Sequence, residues 1–382
     1  MRYKILYSLP FLDQKHLQEA HSHFAFYGWI THAIYVLLTL YMGKVNSEIN
    51  LKKYQKLIVV NIAASFFMLA TFIYGGYFWA SILGSTVALL CSFAFCFFFL
   101  KDYGKLKDHS KIWFLAGLFF AVISSIGVFN LAYMKMSGNI SQELFLASEY
   151  YYLHFQYNGF FIFSCIGFLL FSLKEAGAEI SKKNNTILFW LLFIGCLVGV
   201  GLSLLWMKMP AYIFITIVLA TLSQTVGAIL LFVFVKKRWS QLVVQWSKMQ
   251  RFVLLFAGFA FAAKICLQLG SNIPALNQFA FGFRNVVIAY LHLVLLMCIA
   301  TFIINQILAT GFFVISKKLL LGLKFLLFGI FLNELLLGLM GVFSIEYISV
   351  PFAREGLLFA AILMFFSIFW MFLNLKKTST KL

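Results

Sequence analysis

The chain has 382 residues, 63% of them hydrophobic and 11% charged, with 48 Phe and a formal net charge of +18. No soluble domain of this length could cover so much apolar side chain, so lipid must solvate much of it. The positive charge does not point to nucleic acid, because Lys and Arg fall in short clusters between apolar runs, the pattern of a polytopic membrane protein.

The first nineteen residues lack the apolar core and small-residue cleavage site of a secretory signal, and are expected as an outer N-terminal segment. Apolar runs long enough to cross ~30 Å of hydrocarbon as a helix follow. They are predicted at 20–42, 57–79, 80–100, 112–134, 150–173, 186–206, 211–235, 250–270, 286–308, 319–343 and 356–375, eleven spans in all. The second and third meet around Tyr77–Ser81 with almost no loop. Pro10, Pro210, Pro274 and Pro351 all fall outside the spans, as helix chemistry prefers. The expected architecture is therefore all-α: one transmembrane domain over 20–375, with 376–382 as a cytoplasmic tail. Of the 30 basic residues, 21 lie on the side reached after the first span and 7 on the other, with Lys264 and Lys324 inside spans. That bias places the N-terminus out and the C-terminus in.

Histidines mark the outer ends of three spans. His21, His23 and His32 share the first, in AHSHFAFYGWITH; His154 opens the fifth and His292 the ninth. His154 follows His23 by 131 residues and His292 follows His154 by 138. This spacing reads as a repeated four-helix unit, about 20–134, 150–270 and 286–375, with the last unit one helix short; it predicts a pseudo-threefold bundle. HFAFYG and HFQYNG share His-Phe-x-x-x-Gly, whereas HLVLLM keeps only the His.

Ionisable groups inside lipid are costly and often functional. Imidazole binds haem iron, copper and zinc, so the three helix starts are read as walls of one buried metal or cofactor site. His21 and His23 are two apart, ~200° around a helix, so only one can face that site. Taken singly, each His is as readily an interhelical hydrogen-bonding residue. His16 and His109 are expected in solvated loops. Lys264 and Glu334, both in the outer half of their spans, are expected to form an ion pair or to bond a buried polar group such as Gln268 or Asn333. Arg284 and Arg354 head the ninth and eleventh spans, where an arginine can hold carboxylates in bidentate fashion or simply anchor the interface. Cys91, Cys96, Cys165, Cys196, Cys266 and Cys298 lie in apolar runs without metal or disulfide spacing, and read as packing residues.

AHSHFAFYGW, YYYLHFQYNGFF and RNVVIAYLHLVLL resemble segments of bacterial membrane proteins distantly related to the haem–copper oxidase catalytic subunit. Nitric-oxide reductase catalytic subunits and NnrS-type haem proteins carry a His-x-His stretch before a Gly that is similar to His21–Gly28. The resemblance implies that helices 1, 5 and 9 correspond to the family's second, sixth and tenth. On that alignment His23 (or His21) and His292 would be axial ligands of a b-type haem, and His154 would occupy a position similar to a copper ligand, with copper or another metal near it. Arg354 would sit in the loop where the family holds haem propionates, for which Arg284 is a candidate on its chemistry alone. Helix 6 lacks histidine and helix 9 has one where the oxidases need two, so a complete haem–copper centre is not expected. The implied function is oxidoreductase-like: electron transfer, or nitric oxide or oxygen handling, with a membrane or periplasmic electron donor, in a bacterial cytoplasmic membrane. The rival expectation is a transporter whose histidines, Lys264 and Glu334 line a substrate or proton path.

Overall fold

A computed structural model describes residues 2–378, with 278–281 as backbone only. It is built from helices, and among the described residues the one β-like feature is an isolated bridge between Phe313 and Lys377. Eleven helices are long and apolar enough to cross a bilayer, in the order expected. They are span 1 (Gln14–Val45), span 2 (Lys52–Gly75), span 3 (Trp79–Lys105), span 4 (Lys111–Ser137), span 5 (Gln142–Glu175) and span 6 (Lys182–Leu204). Span 7 (Ala211–Lys237), span 8 (Lys248–Gly270), span 9 (Arg284–Ala309), span 10 (Lys317–Ile345) and span 11 (Ala353–Leu373) complete the set. Three short helices, Arg2–Leu6, Trp239–Gln245 and Pro274–Gly282, lie where loops are expected. Of the expected tail, 379–382 fall outside the described residues.

Helix ends follow cap chemistry rather than hydropathy. The Asp13 side chain accepts from the Lys15 and His16 amides and starts span 1 at Gln14, six residues before the apolar run. Ser141 does the same for span 5, eight residues early. Ser181, Ser247 and Ser316 cap spans 6, 8 and 10, Ser247 in a reciprocal box with Gln250. Between spans 2 and 3 the break is Gly76–Phe78: Gly76 takes φ +59, which favours glycine, and the Ser81 hydroxyl donates to its carbonyl at 2.7 Å.

The helices pack as two compact units. One comprises 11–242 and holds spans 1 to 7. Span 5 is its centre, with 89% of its most apolar stretch buried. Phe155 and Phe163 of span 5 pack on Phe120 of span 4 and Phe168 packs on Phe114, while Phe160 and Phe161 meet Tyr35 and Phe26 of span 1, and Tyr35 stacks on Phe95 of span 3. The Tyr35 hydroxyl, fully buried, donates to Ser92 at 2.8 Å. Gly127 lets span 4 approach the backbone of span 5: a Cβ there would run into the Ser148 carbonyl. The other unit comprises 1–10 and 243–382 and holds spans 8 to 11. Spans 10 and 11 meet there through small residues, Gly322 against Met371 and Gly329 against Met364, seven residues apart on each helix. None of the six cysteines is in a disulfide; Cys266 is exposed on its helix and the other five are buried.

Candidate functional site

Each histidine-bearing span departs from α geometry at the same place. In span 1 a π segment, Phe24–Thr31, begins directly after His23. In span 5 the π segment Phe155–Phe161 begins directly after His154, and in span 9 Leu293–Ala300 begins directly after His292. The wide turn is explicit in the hydrogen bonds, where Ile162 N donates to Tyr157 O and Thr301 N to Leu296 O, both five residues back. The Thr301 hydroxyl donates to the same Leu296 carbonyl at 3.1 Å. π turns cost helix stability and occur frequently at functional sites. Their recurrence at matched positions is the structural counterpart of the 131- and 138-residue spacing.

In the 11–242 unit, His23 is half-buried and lies in the third turn of its helix, not the first, because the Asp13 cap lengthens span 1. Its ring stacks on Phe72 with centroids 4.3 Å apart, and its Nε2 lies 2.7 Å from the Tyr77 hydroxyl. Tyr77 stands in the short connection between spans 2 and 3. Burial, and then the nearby Glu19 and Glu149 carboxylates, push that phenol above its usual range. It stays protonated and able to donate to His23. Four residues further, Tyr27 of span 1 accepts a hydrogen bond from the Tyr152 hydroxyl of span 5 at 3.2 Å. This tyrosine contact ties together the two histidine-bearing helices of the unit. Its sequence trace is the Tyr150–Tyr152 run before His154, which reads as an interfacial aromatic belt or as a bonding partner near that histidine.

His154 has a different environment. It is 1% exposed, with Nε2 2.9 Å from the Cys196 carbonyl of span 6 and Nδ1 3.1 Å from the Asn158 amide nitrogen. Asn158 donates to Nδ1, so Nε2 carries the proton and donates to the carbonyl. Cys196 lies just before the point where span 6 tightens to a 3₁₀ helix over Gly199–Leu204. Nε2 therefore joins spans 5 and 6 while Nδ1 is held by Asn158 on the same helix, and a metal at either nitrogen would have to displace the bond made there. Among the described residues no three His, Cys, Asp or Glu side chains gather to hold a metal ion.

In the other unit, His292 is half-buried and its Nδ1 lies 2.9 Å from the Ile288 carbonyl one turn back. That bond places the proton on Nδ1 and makes Nε2 the lone-pair nitrogen. Arg284 and Arg354 are exposed at the heads of spans 9 and 11. Lys264, 2% exposed, donates to Gln268 at 2.8 Å on its own helix, while Glu334 accepts from the neighbouring Asn333 amide at 3.0 Å. The expected Lys264–Glu334 ion pair is not among the salt bridges of the described residues: each group finds an amide partner close in sequence instead. The charge that reaches Glu334 is that of Arg2. Burial lowers the Arg2 pKa and Glu334 opposes that shift.

Four other histidines are placed by the structure. His16 lies in the first turn of span 1, half-buried, rather than in a loop. His109 lies exposed in the loop before span 4, as expected. His21 is exposed on span 1, and His32 is half-buried directly after the π segment with a buried Nδ1 that has no hydrogen-bond partner.

No protein-family model matches the chain, and no curated protein matches it either.

Proposed function

We propose that this chain is a haem-binding protein of a bacterial cytoplasmic membrane, N-terminus outside, serving electron transfer or the handling of a diatomic gas. The observation that carries this reading is the histidine placed directly before a π segment in spans 1, 5 and 9. A π turn forces main-chain groups out of the regular ladder, and its cost is usually retained where side chains have a special task.

The three positions then divide by chemistry. His292 suits iron best, since an Nδ1–H bonded to a backbone carbonyl is how proteins fix a ligating imidazole and direct Nε2 at the metal. His23 suits it with one change. Its Nε2 bonds a phenol, and a hydroxyl rotor can turn away where a backbone carbonyl cannot. His154 suits it less, because Nε2 already donates to the Cys196 carbonyl of span 6 and Nδ1 accepts from Asn158 on its own helix, and it is assigned to architecture without copper. His21, on the exposed face of span 1, is not assigned a ligand role. Arg284 and Arg354 are proposed to hold haem carboxylates. Haem b, when bound, would supply a one-electron centre and a gas-binding iron. The residues of the chain orient imidazole, through Ile288 O for His292 and through Phe72 and Tyr77 for His23.

The test is the optical spectrum of the purified full-length protein after saturation with haem. A Soret band with sharp reduced α and β bands is expected, lost or shifted to a high-spin form in His292→Ala and in His23→Ala. A colourless protein, or spectra unchanged in both variants, overturns the reading.

A further inference from the structure

At the opposite, lysine-rich end of the 11–242 unit, a cavity of about 520 Å³ opens among Lys44, Val45, Lys107, Phe171, Lys174 and Glu175. It lies where spans 1 and 5 end, beside the loop joining spans 3 and 4. Its size is far above the ~30 Å³ share of one water and within the range of ~300–1,000 Å³ usual for organic ligands.

The walls are built from below. Asp108 is buried and anchored by the Ser110 amide at 2.8 Å and the Tyr41 hydroxyl at 3.1 Å. It holds the Lys174 ammonium at 2.7 Å, so a half-buried cation is fixed by a buried anion. Lys44 is placed twice over, by Glu175 at 3.0 Å and by the Phe171 ring, whose centroid lies 5.9 Å from Nζ. Lys107 is exposed at the rim. Each ammonium has three N–H donors and no acceptor, so Lys44 and Lys174 keep donors beyond the carboxylates that position them. Three lysines face one lining carboxylate, Glu175, and the Phe171 ring supplies an apolar wall.

We propose that this cavity binds a phosphate-bearing anion, with the phosphate among Lys44, Lys107 and Lys174 and its organic portion against Phe171. The chemistry fits the headgroup of an anionic phospholipid and equally a free phosphorylated metabolite. Pockets of this kind near a lysine-rich membrane face are a recognised mode of lipid binding. Glu175 is the competitor: a bound phosphate takes its place on Lys44.

The experiment titrates the full-length protein in neutral detergent with phosphatidylglycerol, with phosphatidylcholine of the same chains, and with glycerol 3-phosphate, reading bound ligand by native mass spectrometry. Phosphatidylglycerol is expected to bind in preference to phosphatidylcholine. Lys107→Gln and Lys44→Gln should each weaken it about fivefold, and Glu175→Gln should tighten it. Lys182→Gln, an exposed lysine outside the cavity, should leave it unchanged. If glycerol 3-phosphate does not compete, the ligand is a lipid; if it competes with the same dependence on Lys107, the ligand is a soluble phosphate ester. Equal binding of both lipids with no binding of glycerol 3-phosphate, or equal effects of Lys107→Gln and Lys182→Gln, overturns the proposal. Lys174→Gln is avoided because it strips Asp108 of its partner and threatens the fold.

Discussion

Replacing His154 with leucine removes the imidazole that joins spans 5 and 6 while leaving a side chain of similar bulk, so the cavity contribution is small. Two groups lose a partner: the Cys196 carbonyl and the Asn158 amide, whose own carbonyl oxygen already has none. At the ~0.6 kcal/mol typical of interhelical hydrogen bonds in lipid, the loss would be about 1 kcal/mol. If both orphaned groups carry a desolvation cost of ~1–3 kcal/mol each, it is several times larger. The burial of span 5 favours the larger figure, since no solvent reaches the orphans, and a loss of about 2–4 kcal/mol is expected. Unfolding by SDS titration in mixed micelles would measure it for His154→Leu, Asn158→Leu and the double variant. The double variant should recover part of the loss, because removing both partners leaves no unpaired amide. A His154→Leu protein within ~0.5 kcal/mol of wild type would refute this account. So would an equal loss of stability on treating the wild type with a metal chelator, which would return His154 to the ligands.

Tyr77→Phe removes the hydroxyl 2.7 Å from His23 Nε2, and should strengthen haem association severalfold if His23 is a ligand; haem titration followed at the Soret band reads it. Gly127→Ala drives a methyl into the Ser148 carbonyl and should cost more than ~3 kcal/mol or abolish folding, visible as aggregation in size-exclusion chromatography. Gly329→Val should separate spans 10 and 11 at Met364 and lower stability by about 1–3 kcal/mol, with partial rescue by Met364→Ala. Asp108 gives a pH prediction. Burial would raise its pKa, but hydrogen bonds from Lys174 and Ser110 outweigh burial and hold the carboxyl below its usual range. A depressed carboxyl stabilises the fold above its unfolded pKa of ~3.9 and loses that stabilisation as pH falls through the folded value. Asp108→Asn should therefore be less stable than wild type at pH 7, and the two thermal unfolding curves should converge as pH drops below about 4.

The eleven spans were legible because lipid imposes a minimum apolar length that few soluble helices meet. Their ends were less so. Gln14–Glu19 is polar and Gln142–Glu149 mixes charge with Leu, Phe and Ala, and only the Asp13 and Ser141 caps reveal that they are already helical. The spacing of His23, His154 and His292 was plain, but the π segments were not, since hydropathy carries no phase signal in helices apolar on every side. Asn158 stands four residues after His154, and that contact follows from helix geometry alone. The Cys196 contact does not, because it depends on two distant spans meeting near the tightened end of span 6. Lys264 and Glu334 carry opposite charges at similar depth, yet of the two partners open to each the amide nearest along its own helix is the one bonded, Gln268 and Asn333.

The wide turn after His23 fixes more than the histidine. Each residue in an α-helix advances the chain by ~100°, so one residue accommodated in 24–31 sets the azimuth of everything after it. Deleting one residue there would let the coil relax to its cheaper form and yet swing Tyr35 away from Ser92 and Phe95. The first span thus trades local regularity for the correct rotation of its far half, and a shortened version would be a better helix in a worse protein.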